Sequence, residues 1–160
     1  MSAAQTQPLL KEHVRKEWVD YNGHMNDAAY ALVFSKAVDQ LMIELGMDET
    51  FRKQYQYSIY TLETHLCYLA EAHLDEILTI TVQLLNSDAK RLHVFFTMEN
   101  KYGKRLATSE QMLMGIDMER GRPAPFPPSI STHVQNLAKI DEKKEKPKEA
   151  GRSIQIPSPR

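Results

Sequence analysis

Three features of this 160-residue sequence predict an α+β fold in which a curved antiparallel sheet wraps one long central helix. Residues 28–45 carry a 3.6-residue apolar repeat whose polar members fall in one narrow stripe. From residue 57 the period changes to two. Four alternating stretches then follow in succession, and one more precedes the helix.

Residues 12–19 form the expected first strand. In residues 28–45, Ser35, Lys36, Asp39, Gln40 and Glu44 make the polar stripe, and the rest of the cylinder is apolar, so other elements must cover this helix on most sides. Asn26 or Asp27 supplies the N-cap, and Gly46 stands where a helix C-terminus favours glycine. In residues 57–69 the face Tyr60, Leu62, Thr64, Leu66, Tyr68 alternates with Ile59, Thr61, Glu63, His65, Cys67. Leu78, Ile80, Val82 and Leu84 mark the next strand, and Leu92, Val94, Phe96 and Met98 the one after. Residues 100–104, with Gly103, make a hairpin turn. The last strand, 105–117, places Leu106, Met112, Met114 and Ile116 on one face. Such a sheet has exposed edges, so a homodimer or homotetramer is expected.

Composition bounds the function. The chain is 42% hydrophobic and 26% charged, with 20 Lys+Arg against 21 Asp+Glu, an ordinary globular balance without the basic excess of a nucleic-acid binder. The single Cys67 rules out an intrachain disulfide framework and a cysteine-based zinc ribbon. No apolar run approaches the ~20 residues of a membrane span, and residues 1–8 lack a secretory leader's pattern, so a cytoplasmic location is expected. Residues 1–9 should fray, 10–138 form the domain, and 139–160 form a charged tail with little to bury, disordered or loosely attached. That tail holds seven Lys/Arg and four Asp/Glu, which leaves residues 1–138 with a net charge of −4.

The chemistry concentrates between the first strand and the helix. Residues 18–30, WVDYNGHMNDAAY, bring Asp20, Asn22, His24, Asn26 and Asp27 against a buried helix start. A helix N-terminus offers unpaired N–H groups and partial positive charge to an oxyanion, and a carboxylate just upstream could act as base or nucleophile. The same residues could equally build a turn and a cap and nothing more.

The segment resembles the acyl-CoA thioesterases of the 4-hydroxybenzoyl-CoA thioesterase group within the hotdog superfamily, which place an Asp after strand one and a Tyr ten residues later, as Asp20 and Tyr30 stand here. The string EWVDYNGHMNDAAYALVFSKAVDQL, continued by YTLETHLCYL and ENKYGKRLATSEQMLMGID, is more specifically similar to the betainyl-CoA thioesterases of carnitine catabolism, which occur alone or fused to L-carnitine dehydrogenase. The resemblance covers about residues 10–130. It implies a hotdog fold and an acyl-CoA thioesterase. Asp20 would be the catalytic carboxylate, base or nucleophile. His24 and Asn26 depart from the commoner pattern, which has small or apolar residues there, and are expected to join the catalytic set in a modified site where His24 orients Asp20 or water. The N–H groups at Asp27 and Ala28 would polarise the thioester carbonyl.

Glu63 and His65, at i, i+2, share one face of their strand and either line an acyl pocket or meet solvent. A betaine's quaternary ammonium would call for a carboxylate such as Glu63 or for aromatic faces, with Trp18, Tyr21, Tyr60 and Tyr68 as cage candidates. Asn22, Tyr30 and His65 complete the expected substrate-binding set. Lys90, Arg91, Lys101, Lys104 and Arg105 stand near turns, where coenzyme A phosphates could meet them. The six histidines (13, 24, 65, 73, 93 and 133) form no HxH or HxxxH pair, so no metal and no cofactor is expected.

The first alternative is a thioesterase for another short-chain or aromatic acyl-CoA, and two other functions compete with hydrolysis itself. Asp20-Tyr-Asn22-Gly-His24 echoes the D-x-N-x-x-H motif of hotdog enoyl-CoA hydratases. Here the histidine comes one residue early and the motif precedes the main helix. A non-catalytic acyl-CoA-binding module is the other alternative.

Overall fold

The computed structural model describes residues 7–159. The chain runs β1 (Leu10–His13), a 3-10 turn (Lys16–Trp18), α1 (Asp27–Glu44), α2 (Glu49–Tyr55) and β2 (Tyr57–Tyr68). It continues through β3 (Ile77–Ser87), β4 (Arg91–Glu99), β5 (Arg105–Asp117), β6 (Arg122–Pro123) and α3 (Pro128–Asp141). The strands form one antiparallel sheet in the order β1-β3-β4-β5-β2, with β6 pairing β5. The sheet curls around α1, giving the expected hotdog fold.

Side-chain alternation decides which residues meet the helix. Phe34 of α1 lies 6.2 Å, ring centre to ring centre, from Phe96 of β4, so the even-numbered residues Leu92 to Met98 face inward. Strand register extends that inner face to Leu78, Ile80 and Leu84 on β3 and to Ala107, Ser109, Gln111 and Leu113 on β5. Val33, Phe34, Ala37, Leu41 and Met42 of α1 pack against it.

Several expectations need correction. The first strand is shorter and earlier than residues 12–19, because after buried Val14 the chain coils into the 3-10 turn that carries Trp18 into the core. Residues 1–6, expected to fray, lie outside the described residues. Leu9, in contrast, extends the β1–β3 ladder through its N–H to Ile80 O at 2.8 Å. A bulge between Thr61 and Glu63 shifts the register of β2. Thr64, Leu66 and Tyr68 therefore face inward on one side of the bulge and Ile59 and Thr61 on the other, which sends Tyr60 to the outside. On β5 the inward face is the odd-numbered one, so Met112 and Met114 lie outside.

The tail differs most from expectation. Helix α3 runs through residue 138 and on to Asp141, packing Ile130 and Val134 into the core. Buried Asp141 accepts the N–H of Leu84 at 2.8 Å, capping β3 beyond the reach of β1, and pairs with Lys144 at 2.9 Å. The chain then crosses the outer face of the sheet. Gln83 donates to Glu145 O, Arg105 pairs with buried Glu149 at 2.7 Å, Gly151 N donates to Glu110 at 2.8 Å, and Arg152 reaches the Cys67 sulfur at 3.2 Å. Phe95, on the outer face, is buried. The segment is poor in apolar residues, with only Ala150 buried among them, and ion pairs and hydrogen bonds hold it as far as Arg152.

Candidate active site

The residues flanking α1 fold into a tight hairpin. Val19 bridges Met25, Asp20 N donates to His24 O at 2.9 Å, and Gly23 N donates to Asp20 O at 3.0 Å. Gly23 takes φ +77°, where a side chain would be strained. The Asp20 side chain belongs to the same turn, its Oδ1 accepting Asn22 N at 2.8 Å and His24 N at 3.2 Å. Both bonds fall on one oxygen, which leaves Oδ2 for chemistry.

Asn26 ties this turn to the helix. Its N–H and its Nδ2 both donate to Trp18 O, at 2.9 and 2.8 Å, while Oδ1 accepts Ala29 N at 3.0 Å as the N-cap. Asp20 therefore stands two residues past the Trp18–Asn26 pair, roughly 7 Å along the hairpin at about 3.3 Å per residue. The N–H groups of Asp27 and Ala28 open the helix directly after Asn26. Asp27's own carboxylate accepts Ala28 N at 3.0 Å, so this oxygen must swing aside before that donor can meet a substrate. Asn26 serves as cap and tether, a role that spacing suggested only in part.

The loop joining β2 to β3 closes the other side. Buried Tyr30 donates its hydroxyl to Ala70 O at 3.3 Å and accepts Ala72 N at 3.1 Å, and burial pushes its pKa up. The Tyr68 ring meets Tyr30 edge-on at 5.2 Å, and its hydroxyl donates to Asp27 O. Met25 N donates to Ala72 O, and His24 bridges His73. The Tyr30 hydroxyl is thus occupied by backbone, fixing the loop against the helix start.

The remaining predicted site residues do not all converge. Trp18 is buried, and Arg15 and Lys36 lie 5.1 and 5.3 Å from its ring, so the chain's own cations occupy its faces. Tyr21 is 97% exposed at the tip of the Asp20 turn, beside exposed Asn22. Tyr60 donates to the Met118 sulfur on the outer side of the sheet. Glu63 and His65 also point outward, into a cavity of about 520 Å³ shared with His93, Glu110 and Arg152. The sheet separates them from α1. Of the basic residues near turns, Arg91 is paired with Asp88, and Arg105 with Glu149.

A second cavity, of about 290 Å³, does open on the helix side, one turn into α1. It lies between Ala31, Phe34, Ser35 and Val38 of the helix and Thr61, Thr64, Leu66, Ser109 and Gln111 of β2 and β5. Gln111 is 5% exposed, and its Nε2 donates to Ser109 Oγ at 3.0 Å, while its Oε1 has no partner. Sequence reasoning missed Gln111 because it put the even-numbered residues of β5 inside. A polar residue between Met112 and Glu110 otherwise carries no local signal.

A family model described as "Thioesterase-like superfamily" matches residues 14–134. The "Betainyl-CoA thioesterase" of Pseudomonas aeruginosa is 41% identical over 145 residues, 90% of this chain and 91% of that protein. The "L-carnitine dehydrogenase/betainyl-CoA thioesterase" of Rhizobium meliloti is 36% identical over 91% of this chain, which spans 29% of that longer protein. Among solved structures, a hypothetical protein of Staphylococcus aureus in complex with CoA superposes with a TM-score of 0.89 at 34% identity, covering 98% of this chain and 100% of that one. A putative thioesterase of Pseudomonas putida KT2440 gives 0.83 at 33% identity, with the same coverage.

Proposed function

The chain belongs to the thioesterase-like superfamily and is a thioester hydrolase; we propose that its substrate is betainyl-CoA, cleaved to betaine and free coenzyme A. The observation that carries this substrate is the 41% identity, spread over nine-tenths of both chains, to the Pseudomonas aeruginosa protein of that name.

In the proposed reaction Asp20 Oδ2 takes a proton from water as the oxygen attacks the thioester carbonyl carbon. The charge that develops on the carbonyl oxygen faces the N–H groups of Asp27 and Ala28 and the positive end of α1. Collapse of this tetrahedral species breaks the C–S bond, and Asp20 returns the proton to the departing thiolate. Two backbone N–H bonds on Oδ1 hold the carboxylate still through both transfers.

The cationic acyl end belongs in the groove between α1 and β2, where a turn of the buried Gln111 side chain would bring its unpartnered oxygen, with its negative partial charge, to a trimethylammonium group. Glu63 and His65, on the far side of the sheet, have no part in this reading.

A homodimer completes the site. Strand β2 pairs only with β5 among the described residues and leaves an open edge. Tyr60 and Leu62 of β2 are 48 and 51% exposed at this edge, and Leu32 of α1 is 45% exposed on the helix side, apolar groups that a second copy would cover. Sedimentation equilibrium at micromolar concentration tests this, and a monomer there would rule it out. Among the described residues no helix is long and apolar enough to cross a membrane, and a coenzyme A ester as substrate supports a cytoplasmic location.

Release of free thiol from betainyl-, acetyl-, butyryl- and 4-hydroxybenzoyl-CoA tests the substrate directly. Betainyl-CoA should show the highest kcat/KM; a higher value for any other ester refutes the assignment.

A further inference from the structure

We propose that His24, Glu71 and His73 form a binding site for a divalent transition metal, Zn²⁺ by preference, that clasps the Asp20 turn to the β2–β3 loop. The three residues each offer a ligand atom, and these atoms all lie within 4.8 Å of one another. No residue of the set neighbours another in sequence, and His24 and His73 stand 49 positions apart, which is why spacing gave no hint of it.

The backbone holds the ligands in place. His24 and His73 face each other across an antiparallel bridge, which directs both rings to the same side, and their centres are 5.0 Å apart in an edge-to-face arrangement. Met25 N to Ala72 O and Leu74 N to Gly23 O flank the bridge, so the pair does not depend on side-chain contact alone. Glu71 lies two residues before His73 in extended chain, on the same side, with its Oε2 3.2 Å from His24 Nε2.

His73 has a second contact, on its other ring nitrogen. Glu76 holds its Nδ1 at 2.8 Å, which leaves Nε2 as the free nitrogen and fixes the plane of the ring. A carboxylate behind a histidine is the usual outer support of a metal ligand. Two imidazoles and one carboxylate are a zinc donor set with a fourth position open to water. Nitrogen and oxygen donors together disfavour Ca²⁺ and Mg²⁺, which prefer oxygen alone.

A metal here would act on the carboxylate already assigned to catalysis, because His24 meets Asp20 through both its N–H and its carbonyl. Binding would brace the turn. The site itself does not rest on the betainyl-CoA reading and stands or falls separately from it.

Metal-stripped full-length protein titrated with Zn²⁺ in a calorimeter tests the site, with Co²⁺ absorption reporting nitrogen ligation. One ion should bind per chain, and His73→Ala and Glu71→Gln should each weaken it on the order of tenfold or more. Exposed His133→Ala serves as the control and should change nothing. Zn²⁺ should raise Tm in the wild type and not in His73→Ala. A Kd weaker than about 1 mM, or binding that His73→Ala leaves intact, overturns the proposal whatever the thioesterase assays show.

Discussion

Replacing Asp20 by Asn separates catalysis from folding, because the turn uses one oxygen and the proposed reaction the other. Asparagine keeps a carbonyl oxygen that can still accept Asn22 N and His24 N, the two bonds at 2.8 and 3.2 Å that shape the hairpin. It replaces Oδ2 with an amide that cannot take a proton. Loss of a positioned general base costs about 10²- to 10⁴-fold in kcat, or roughly 3–5.5 kcal/mol of barrier. Stability should change by less than about 0.5 kcal/mol, as for a surface substitution that breaks no contact. Asp20→Ala is the complementary variant. It removes both acceptor bonds and should cost about 1–2 kcal/mol in stability as well as the rate. Thiol release measured with a chromogenic thiol reagent gives kcat, and urea melts give stability. If Asp20→Asn hydrolyses the ester within twofold of wild type, Asp20 is not the base. If it unfolds as readily as Asp20→Ala, any loss of rate is structural and the reasoning fails in another way.

Three further outcomes follow from the packing. Gln111→Leu keeps the volume of a buried side chain but removes the unpartnered oxygen. It should lower kcat/KM for betainyl-CoA by about five- to 150-fold, the scale of 1–3 kcal/mol for one lost polar contact, and leave butyryl-CoA nearly unchanged; equal loss on both would place the acyl end elsewhere. Gly115→Ala would drive a methyl into the Tyr57 hydroxyl and to 3.0 Å from Ala124 O, against a hydrogen bond of 2.9 Å. Overpacking and a lost bond together cost about 2–4 kcal/mol, a fall in Tm of roughly 5–15 °C, and a scanning-calorimetry shift under 2 °C would refute it. The strap across the outer face should respond to acid. Burial pushes the Glu149 and Glu110 carboxyls up, but Arg105 for the first, and Gly151 N–H with His93 for the second, hold both below the ordinary range. Their contribution is therefore complete above an unfolded carboxylate's pKa of about 4.3 and is lost as pH falls through the lower folded values. Hydrogen exchange at residues 142–152 should accelerate over that window, and early for Glu149→Gln; exchange that ignores pH between 5 and 3, once corrected for intrinsic rates, would show that the pairs do not hold the strap.

What the sequence made legible was local. A turn and an N-cap between Trp18 and Asn26 could be read because the capping residue, glycine and carboxylate lie within nine positions, though not that they close a hairpin, and period alone located α1 and β2 to β5. The β2 bulge was not legible, since Thr61-Leu62-Glu63 carries no residue that demands one, yet it moved Tyr60 to the other face. The tail was misjudged because composition measures what a segment can bury, whereas this one is held by pairs such as Glu149 with Arg105, 44 residues away. Helix α3 did leave a signal. Pro128 at its first turn and Ile130, Val134 and Leu137 at i, i+4, i+7 mark an amphipathic helix, and a boundary at residue 138 cuts across it.

One mismatch between pattern and fold points beyond the single chain. The sequence of α1 is apolar around most of its circumference, but the chain leaves one flank of the helix bare. Ala28, Leu32 and Ile43 remain exposed on a face shared with Ser35 and Asp39. A helix that faced water there would ordinarily carry charge at those positions, and the polar residues present fall short of filling the face. The open edge of β2 and its exposed Leu62 lie on the side of the groove that this helix borders, and the groove holds the unpartnered oxygen of Gln111. An apolar helix flank, an unpaired strand edge and an unsatisfied acceptor in one place are accounted for together if a second copy closes over the groove. The wrapped helix legible in the sequence then describes the dimer rather than the monomer.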